Sequence, residues 1–139
     1  MKPLPESTTA FVLRTSFSDP SAWGAIRAAI EAPTPIDGFL AYVQFVDDAA
    51  YEGMVKDQVV DLFRGRVGHT FVIVADDTSM TAAEHHLLVI DLAREPGRDF
   101  RAVPSAIQSI ENNLSIANMD FAEFAGAVDE DGVFRDFPR

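Results

Sequence analysis

The chain has 139 residues, 47% of them hydrophobic, no cysteine and a formal net charge of −11 at neutral pH. The lack of cysteine excludes disulfides, thiolate metal sites and cysteine nucleophiles, and the negative charge disfavours binding to nucleic acids and anionic membranes. No apolar run approaches the roughly 18 residues of a membrane span, and the N-terminus lacks the apolar core of a signal peptide. We therefore expect one soluble, cytoplasmic domain over residues 1–139, with residues 1–9 as a flexible segment.

The first half of the chain alternates strand-like and helix-like segments. Three strands are predicted, at 10–15, 39–46 and 69–75. Asp19-Pro20 opens the helix that follows the first strand, and the helix after the second strand is clearest over 56–64. Several of the strands are apolar almost throughout, which is typical of strands covered on both faces. Helical crossovers between them predict parallel pairing with right-handed connections.

The second half of the chain breaks this alternation. Strands at 87–92 and 100–103 follow the third strand before any further long helix. Pro104 suits the first position of a helix, and Asp120 with Glu123 forms a capping pattern that begins another one. We therefore expect an α/β fold in one domain: a mixed sheet whose first strands are parallel through βαβ crossovers, with two C-terminal helices.

Two aspartate pairs follow predicted strands, and they suggest an enzyme as one alternative. The polar residues expected at the carboxyl ends of the three parallel strands are Thr15, Ser16, Asp47, Asp48, Asp76 and Asp77. Ligands of open α/β sheets bind at that edge, and carboxylate oxygens suit Mg²⁺, which in turn can bind phosphate. A Mg²⁺-dependent phosphoryl-handling enzyme or a phosphate-ligand sensor is the resulting hypothesis. The competing interpretation is that these aspartates cap helices and form turns.

The histidines allow a second kind of site. If strands three and four form a hairpin-like pair, His69 would approach His85 or His86, and with Glu84 such a group would suit zinc binding or general-base catalysis. Adjacent strand residues point to opposite faces, which opposes this arrangement. The competing interpretation is a loop histidine that bonds to a backbone carbonyl.

No recognisable nucleophile accompanies these groups. The sequence contains no GxSxG motif and no serine in a known catalytic context. Asp91 lies within an apolar strand, where a buried carboxylate needs hydrogen-bond donors. We expect it to be a structural anchor, paired for example with Arg14, and the alternative is a catalytic acid without an identified partner.

The C-terminal segment is strongly acidic. Residues 111–139 carry seven acids (Glu111, Asp120, Glu123, Asp129, Glu130, Asp131 and Asp136) against Arg135 and Arg139. These acids either serve solubility and helix stability or form a surface for a basic partner, where binding would weaken with salt. Asn112 and Asn113 lie in the middle of a predicted helix, where asparagine is unfavourable. They either bond to neighbouring loops or form an interaction face with Asp120.

Four segments carry a resemblance to a known family. FVLRTSFSD, HTFVIVAD, EHHLLVIDLAREPGRDFRAVPS and ENNLSIANMDFAEFAGAVDEDGVFRDF resemble a family of short actinobacterial proteins known only as a domain of unknown function. The resemblance implies a stand-alone bacterial cytoplasmic domain and assigns no activity and no site residues.

These observations favour a non-enzymatic function without a cofactor. We expect an acidic protein-interaction module that binds or neutralises a basic protein, with no nucleic-acid or membrane partner and with an open oligomeric state. The expected contact residues are Asn112, Asn113, Asp120, Asp129, Glu130 and Asp131.

Overall fold

A six-stranded mixed sheet organises the fold in the computed structural model, which describes residues 2–137. The strands in chain order are β1 (Ala10–Arg14), β2 (Val43–Val46), β3 (Phe71–Ala75), β4 (Leu87–Asp91), β5 (Asp99–Ala102) and β6 (Val133–Phe134). Their order in the sheet is β2-β1-β3-β4-β5-β6. β1 pairs in parallel with β2 and β3, β4 is antiparallel to both of its neighbours, and β6 is parallel to β5. The predicted mixed sheet with parallel first strands is confirmed.

Helices cover both faces of this sheet. They are α1 (Pro20–Glu31), α2 (Lys56–Leu62), α3 (Asp77–Thr81), α4 (Ile107–Ser115) and α5 (Phe121–Ala125). α1, α4 and α5 pack on one face with Ala10 and Val12 of β1, whereas α2 packs on the other face with Phe11 and Leu13. The chain leaves β1 on one side to reach β2 and returns on the other side to reach β3. Right-handed crossovers in opposite directions place α1 and α2 on opposite faces.

Local signals begin α1 and α5 where the sequence predicts them, and they begin the turn that precedes α4. Asp19 accepts a hydrogen bond from the backbone N–H of Ala22 at 3.0 Å, and Pro20 is the first residue of α1. Pro104 begins a 3₁₀ turn that leads directly into α4. Glu123 accepts from the N–H of Asp120 at 3.1 Å at the start of α5. The two predicted C-terminal helices are therefore confirmed.

The second strand is shorter than its sequence predicts. The pattern indicates a strand over 39–46, but only Val43–Val46 pairs with β1. The backbone before it bonds elsewhere: Phe39 exchanges hydrogen bonds with Thr34, and the N–H of Tyr42 donates to Glu111 at 2.7 Å. Residues 39–42 therefore form a loop, because the bonds to Thr34 and Glu111 replace the sheet bonds that a longer strand would make.

The N-terminal segment lies along the face that α2 covers. Leu4 is 5% exposed, and the Tyr51 hydroxyl is 2.9 Å from the carbonyl oxygen of Pro3. Arg66 donates to the carbonyl of Pro5 at 2.8 Å. Residues 2–9 thus have a defined path over the sheet, and their predicted flexibility in solution stays a prediction. Met1 lies outside the described residues.

Within residues 2–137, no helix has both the length and the apolar character that crossing a membrane requires.

Candidate functional site

A crevice opens where the chain reverses direction in the sheet. β2 and β3 lie on opposite sides of β1, so the carboxyl ends of β1 and β3 flank a topological switch point, the usual ligand site of open α/β sheets. Thr15 follows β1 here, and Asp76 and Asp77 follow β3. The N–H of Gly53 donates to the carbonyl of Thr15 at 2.8 Å and fixes the loop before α2, with Gly53 at a φ of +76° that favours glycine. The resulting cavity of about 360 Å³ is of the size that small ligands occupy.

The four aspartates proposed as magnesium ligands do not gather in this crevice. β1 lies between β2 and β3, which places the two strand ends about 10 Å apart. Asp47 lies 3.1 Å from Arg14, while Asp48 accepts from the N–H of Ala50 at 2.9 Å and pairs with Lys2. Among residues 2–137 no group of three acidic or histidine side chains is placed to hold a metal ion. The predicted magnesium site therefore has no ligand set in the described part of the chain.

Asp76 forms a bidentate ion pair with Arg101. Its two carboxylate oxygens accept from the guanidinium of Arg101 at 2.8 and 2.6 Å, and one of them also accepts from the N–H of Ser79 at 3.1 Å. Burial raises the pKa of Asp76, but the hydrogen bonds from Arg101 and Ser79 outweigh it and hold this pKa below the ordinary value of 3.8. The charged form of Asp76 therefore stabilises the folded state.

Asp76→Asn is expected to lower the free energy of unfolding at pH 7 by about 1.5–3 kcal/mol, because Arg101 loses a charged hydrogen-bond partner. Folding lowers the pKa of Asp76. The difference in free energy of unfolding between wild type and Asp76→Asn is therefore complete well above pH 3.8 and disappears as the pH falls through the folded-state pKa. Urea unfolding at a series of pH values measures this. Asp77→Asn, next to it and exposed, is the control and should change little. A difference between wild type and Asp76→Asn that is independent of pH would contradict the account.

A second ion pair lies beside the first. Lys56, the first residue of α2, places its Nζ 3.1 Å from Asp99 of β5. Asp99 lies opposite Ile90, and Arg101 lies opposite Leu88 in the antiparallel ladder. Both ion pairs therefore cross β4 and frame an apolar floor beneath them.

The histidines are separated by the length of the sheet. His69 precedes β3 and the other two histidines precede β4, and because these strands are antiparallel the residues lie at opposite ends. The proposed approach of His69 to His85 or His86 is therefore wrong. His69 Nε2 lies 2.6 Å from the carbonyl of Ser7, and His85 Nδ1 lies 2.9 Å from the carbonyl of Ser79. Both contacts agree with the interpretation that these histidines bond to backbone carbonyls.

Asp91 is a structural residue with different partners from those expected. It is 3% exposed and accepts from the backbone N–H groups of Ala93 and Glu95 at 2.9 and 3.0 Å, which closes the turn before β5. The suggested pairing with Arg14 is wrong, because the two residues lie beside opposite ends of β3. Arg14 is opposite Ala75, and Asp91 is opposite Phe71. Arg14 pairs with Asp47 instead.

The acidic turn near the C-terminus is partly neutralised. The guanidinium of Arg135 lies 2.7 Å from both Asp129 and Asp131 and 2.5 Å from Glu84. The hydrogen bond from Arg135 lowers the pKa of Asp131 to about 2. Within residues 2–137, Glu130 is the residue of the Asp129–Asp131 stretch that makes no ion pair. This turn is thus an ion-pair cluster that ties the region around β6 to the loop before β4.

Asn113 is half-buried, whereas Asn112 is exposed. The amide of Asn113 donates to the carbonyl of Ser109 at 2.9 Å and accepts from Asn118 at 2.9 Å, so it serves the end of α4. Asn112 is exposed, and Asp120 is exposed at the start of α5. Arg139, the other cation counted in the C-terminal segment, lies outside the described residues.

The sequence pattern misses the largest group of exposed apolar side chains. Ile36, Phe39, Leu40 and Tyr42 are 88%, 57%, 48% and 73% exposed. We call residues 36–42 the apolar loop. A strand over 39–46 would have buried alternate side chains of this run, whereas the loop leaves them in solvent. The clustered prolines at 33 and 35 and the glycine at 38 are the signal of a loop that could have found it.

The apolar loop leads directly into an open sheet edge. β2 pairs with β1 on one side, and no strand among residues 2–137 covers its other side. Every second residue of an edge strand directs its N–H and C=O away from the sheet. A groove of about 620 Å³ runs along β2 beside α1, where the guanidinium of Arg27 lies 4.6 Å from the centre of the Phe45 ring.

Fold and surface together define a small mixed α/β domain with a strand-end crevice and an open edge at β2. The chain belongs to the family described as Domain of unknown function (DUF6924), whose family model matches residues 9–137. The resemblance found in the sequence is confirmed as far as membership of a family without an assigned function. No curated protein matches the chain.

Proposed function

We propose that this protein is a non-enzymatic interaction module that binds a basic protein partner, and that the partner adds an extended segment to the free edge of β2. One observation carries the proposal: four large apolar side chains are exposed within the apolar loop, immediately before an uncovered edge strand. Exposed apolar groups concentrated in one place mark protein contacts rather than ordinary surface.

The edge strand β2 lacks the features that commonly prevent an edge strand from pairing with another chain. Edge strands commonly carry lysine, proline, inward-pointing charges or bulges, which prevent unwanted pairing. The four residues of β2, VQFV, contain neither a charge nor a proline and pair with β1 in an unbroken register. An added strand would take its main-chain hydrogen bonds from β2 and place alternate side chains in the groove beside α1.

Charge favours a basic occupant over a second copy of this chain. The net charge of −11 attracts a positively charged segment and raises its association rate, an effect that salt weakens. Two copies would each bring the same negative charge to the interface, so repulsion opposes their pairing. Asp37 lies in the apolar loop beside the edge, whereas Glu31 of α1 is paired with Arg27 at 3.2 Å.

The acidic residues predicted as contacts have a different role in this proposal. Asp120, Asp129, Glu130 and Asp131 contribute to the long-range attraction, and the apolar loop supplies the docking contacts. Asn112 is exposed and Asn113 serves α4. The Mg²⁺-dependent alternative depends on aspartates that the strand order separates, so we do not propose it. The cytoplasmic location and actinobacterial origin that the sequence resemblance implies stay predictions.

Selection from a random peptide library displayed on phage tests the proposal. We expect peptides that alternate apolar residues with lysine or arginine, because one face of the added strand packs in the groove and the net charge of −11 favours a positively charged peptide. Their binding should weaken as salt increases. Selection of acidic or uncharged sequences would contradict the basic partner. A concentration-dependent dimer that Phe39→Ser and Tyr42→Ser dissociate would replace the partner with a second copy.

A further inference from the structure

The switch-point crevice has the composition of a small-molecule site. Its floor is apolar and is formed by Val59 of α2, Val74 of β3, and Leu88 and Ile90 of β4. Polar groups complete its lining: the buried Thr15 after β1 and the exposed Thr78 in α3. Small-ligand pockets combine such an apolar surface with a few polar groups that fix orientation. The crevice lies on the face that α2 covers, whereas the groove along β2 lies on the face of α1, so the two sites are separate.

The cation that lines the crevice, Lys56, and the neighbouring Arg101 are both already paired with carboxylates. Lys56 is paired with Asp99, and Arg101 is paired with both oxygens of Asp76. An anionic ligand would have to compete with these carboxylates for either cation. The crevice therefore does not offer a free positive charge.

One carboxylate in the lining is different. Asp77 is exposed at the start of α3 and makes no ion pair and no side-chain hydrogen bond within residues 2–137. Each of the two ion pairs has no net charge. Asp77 therefore gives the crevice one uncompensated negative charge. A ligand with a positive head and an apolar body matches both the charge and the floor.

We infer that the crevice binds an amphipathic organic cation. Its ammonium group lies against the carboxylate of Asp77, and its apolar body covers Leu88 and Ile90 between the two ion pairs. The hydroxyl oxygens of Thr15 and Thr78 accept the remaining ammonium hydrogens. An inorganic cation does not fit this site, because the described residues bring no three acidic or histidine side chains together. This inference goes beyond partner binding at β2 and does not depend on it.

Titration of the full chain with 2-phenylethylamine, followed by NMR and by thermal shift, tests this inference. The control ligands are 3-phenylpropionate, which has a similar apolar body and a negative head, and ammonium chloride, which has the charge alone. We expect saturable binding of the amine, shifted signals at Thr15 and Val59, and no comparable binding of either control ligand.

Two variants locate the charge. Asp77→Asn should weaken amine binding at least about tenfold, because the neutral amide cannot pair with the ammonium group. Asp57→Asn is the matched control, since Asp57 is an exposed carboxylate of α2 outside the crevice lining. Phe39→Ser should also leave amine binding unchanged, which separates this site from the β2 edge. Equal binding of amine and propionate, equal affinity in Asp77→Asn, or no saturable binding up to about 10 mM amine would each overturn the inference.

Discussion

Replacing Phe39 and Tyr42 together by serine is expected to weaken binding of a selected basic peptide by at least about 100-fold, because aromatic anchors of an interface each contribute about 2 kcal/mol or more. Both side chains are mostly exposed, at 57% and 73%, so the free energy of unfolding should change by only about 0.5 kcal/mol. Serine removes apolar area without adding negative charge, which would itself attract the peptide. Fluorescence anisotropy at fixed salt measures the affinity, and urea unfolding measures the stability.

Val67→Ser is the matched control for this double variant. Val67 is 92% exposed but lies in the loop before β3 rather than beside β2, so its replacement should leave the affinity unchanged.

Charge reversal by Glu130→Lys should slow association of the peptide modestly, and this effect should disappear at high salt. Equal losses in Val67→Ser and in the double variant, or a full loss of binding in Glu130→Lys, would contradict docking at the apolar loop.

Phe124→Ala is expected to lower the free energy of unfolding by about 3–5 kcal/mol. The Phe124 side chain is fully buried, and its ring centre lies 5.2 Å from both Phe134 and Phe137 and 6.4 Å from Phe100. The truncation leaves a cavity where α5 packs on β5 and β6. Because a domain of this size has a total stability of about 5–15 kcal/mol, the loss should appear as a large decrease in the urea midpoint.

Phe39→Ala removes the same ring from an exposed position and is the control for Phe124→Ala. Its effect on stability should be within about 0.5 kcal/mol. Similar losses from the two truncations would contradict the burial difference on which this prediction rests.

The elements that sequence could predict are those that local chemistry determines. α1 begins at Pro20 because Asp19 caps it, and the start of α5 follows from Asp120 and Glu123, three residues apart. Parallel pairing of the first strands follows from the helical crossovers between them. The short strand β6 has only two residues, too few to produce a pattern, and forms because the chain returns beside β5.

Long-range arrangement could not be predicted from these local signals. Sequence places Asp47 and Asp76 at the same edge correctly, but the distance between them depends on the strand order, which inserts β1 between β2 and β3. The sequence suggests a pair between Asp91 and Arg14, yet Arg14 lies beside the last residue of β3 and Asp91 beside its first. The same order creates the switch-point crevice.

The surface that carries the proposed function does not follow from the sequence pattern. FLAYVQFV has the pattern of one strand covered on both faces, which predicts that its apolar residues are buried. Tertiary context divides it: Val43–Val46 pairs with β1, while hydrogen bonds to Thr34 and Glu111 hold the preceding residues in a loop. The acidic turn shows the opposite error, because Arg135 occupies carboxylates that the sequence presented as free.

Hydrogen–deuterium exchange of the full chain, with and without a selected basic peptide, tests the central proposal most directly. If the peptide adds a strand to the open edge, amide exchange should slow within Val43–Val46 and in the apolar loop, because outward N–H groups of β2 gain acceptors. The rest of the sheet should exchange at nearly the same rate. Slowed exchange at 129–131 or around the switch-point crevice, with β2 unchanged, would contradict binding at the β2 edge.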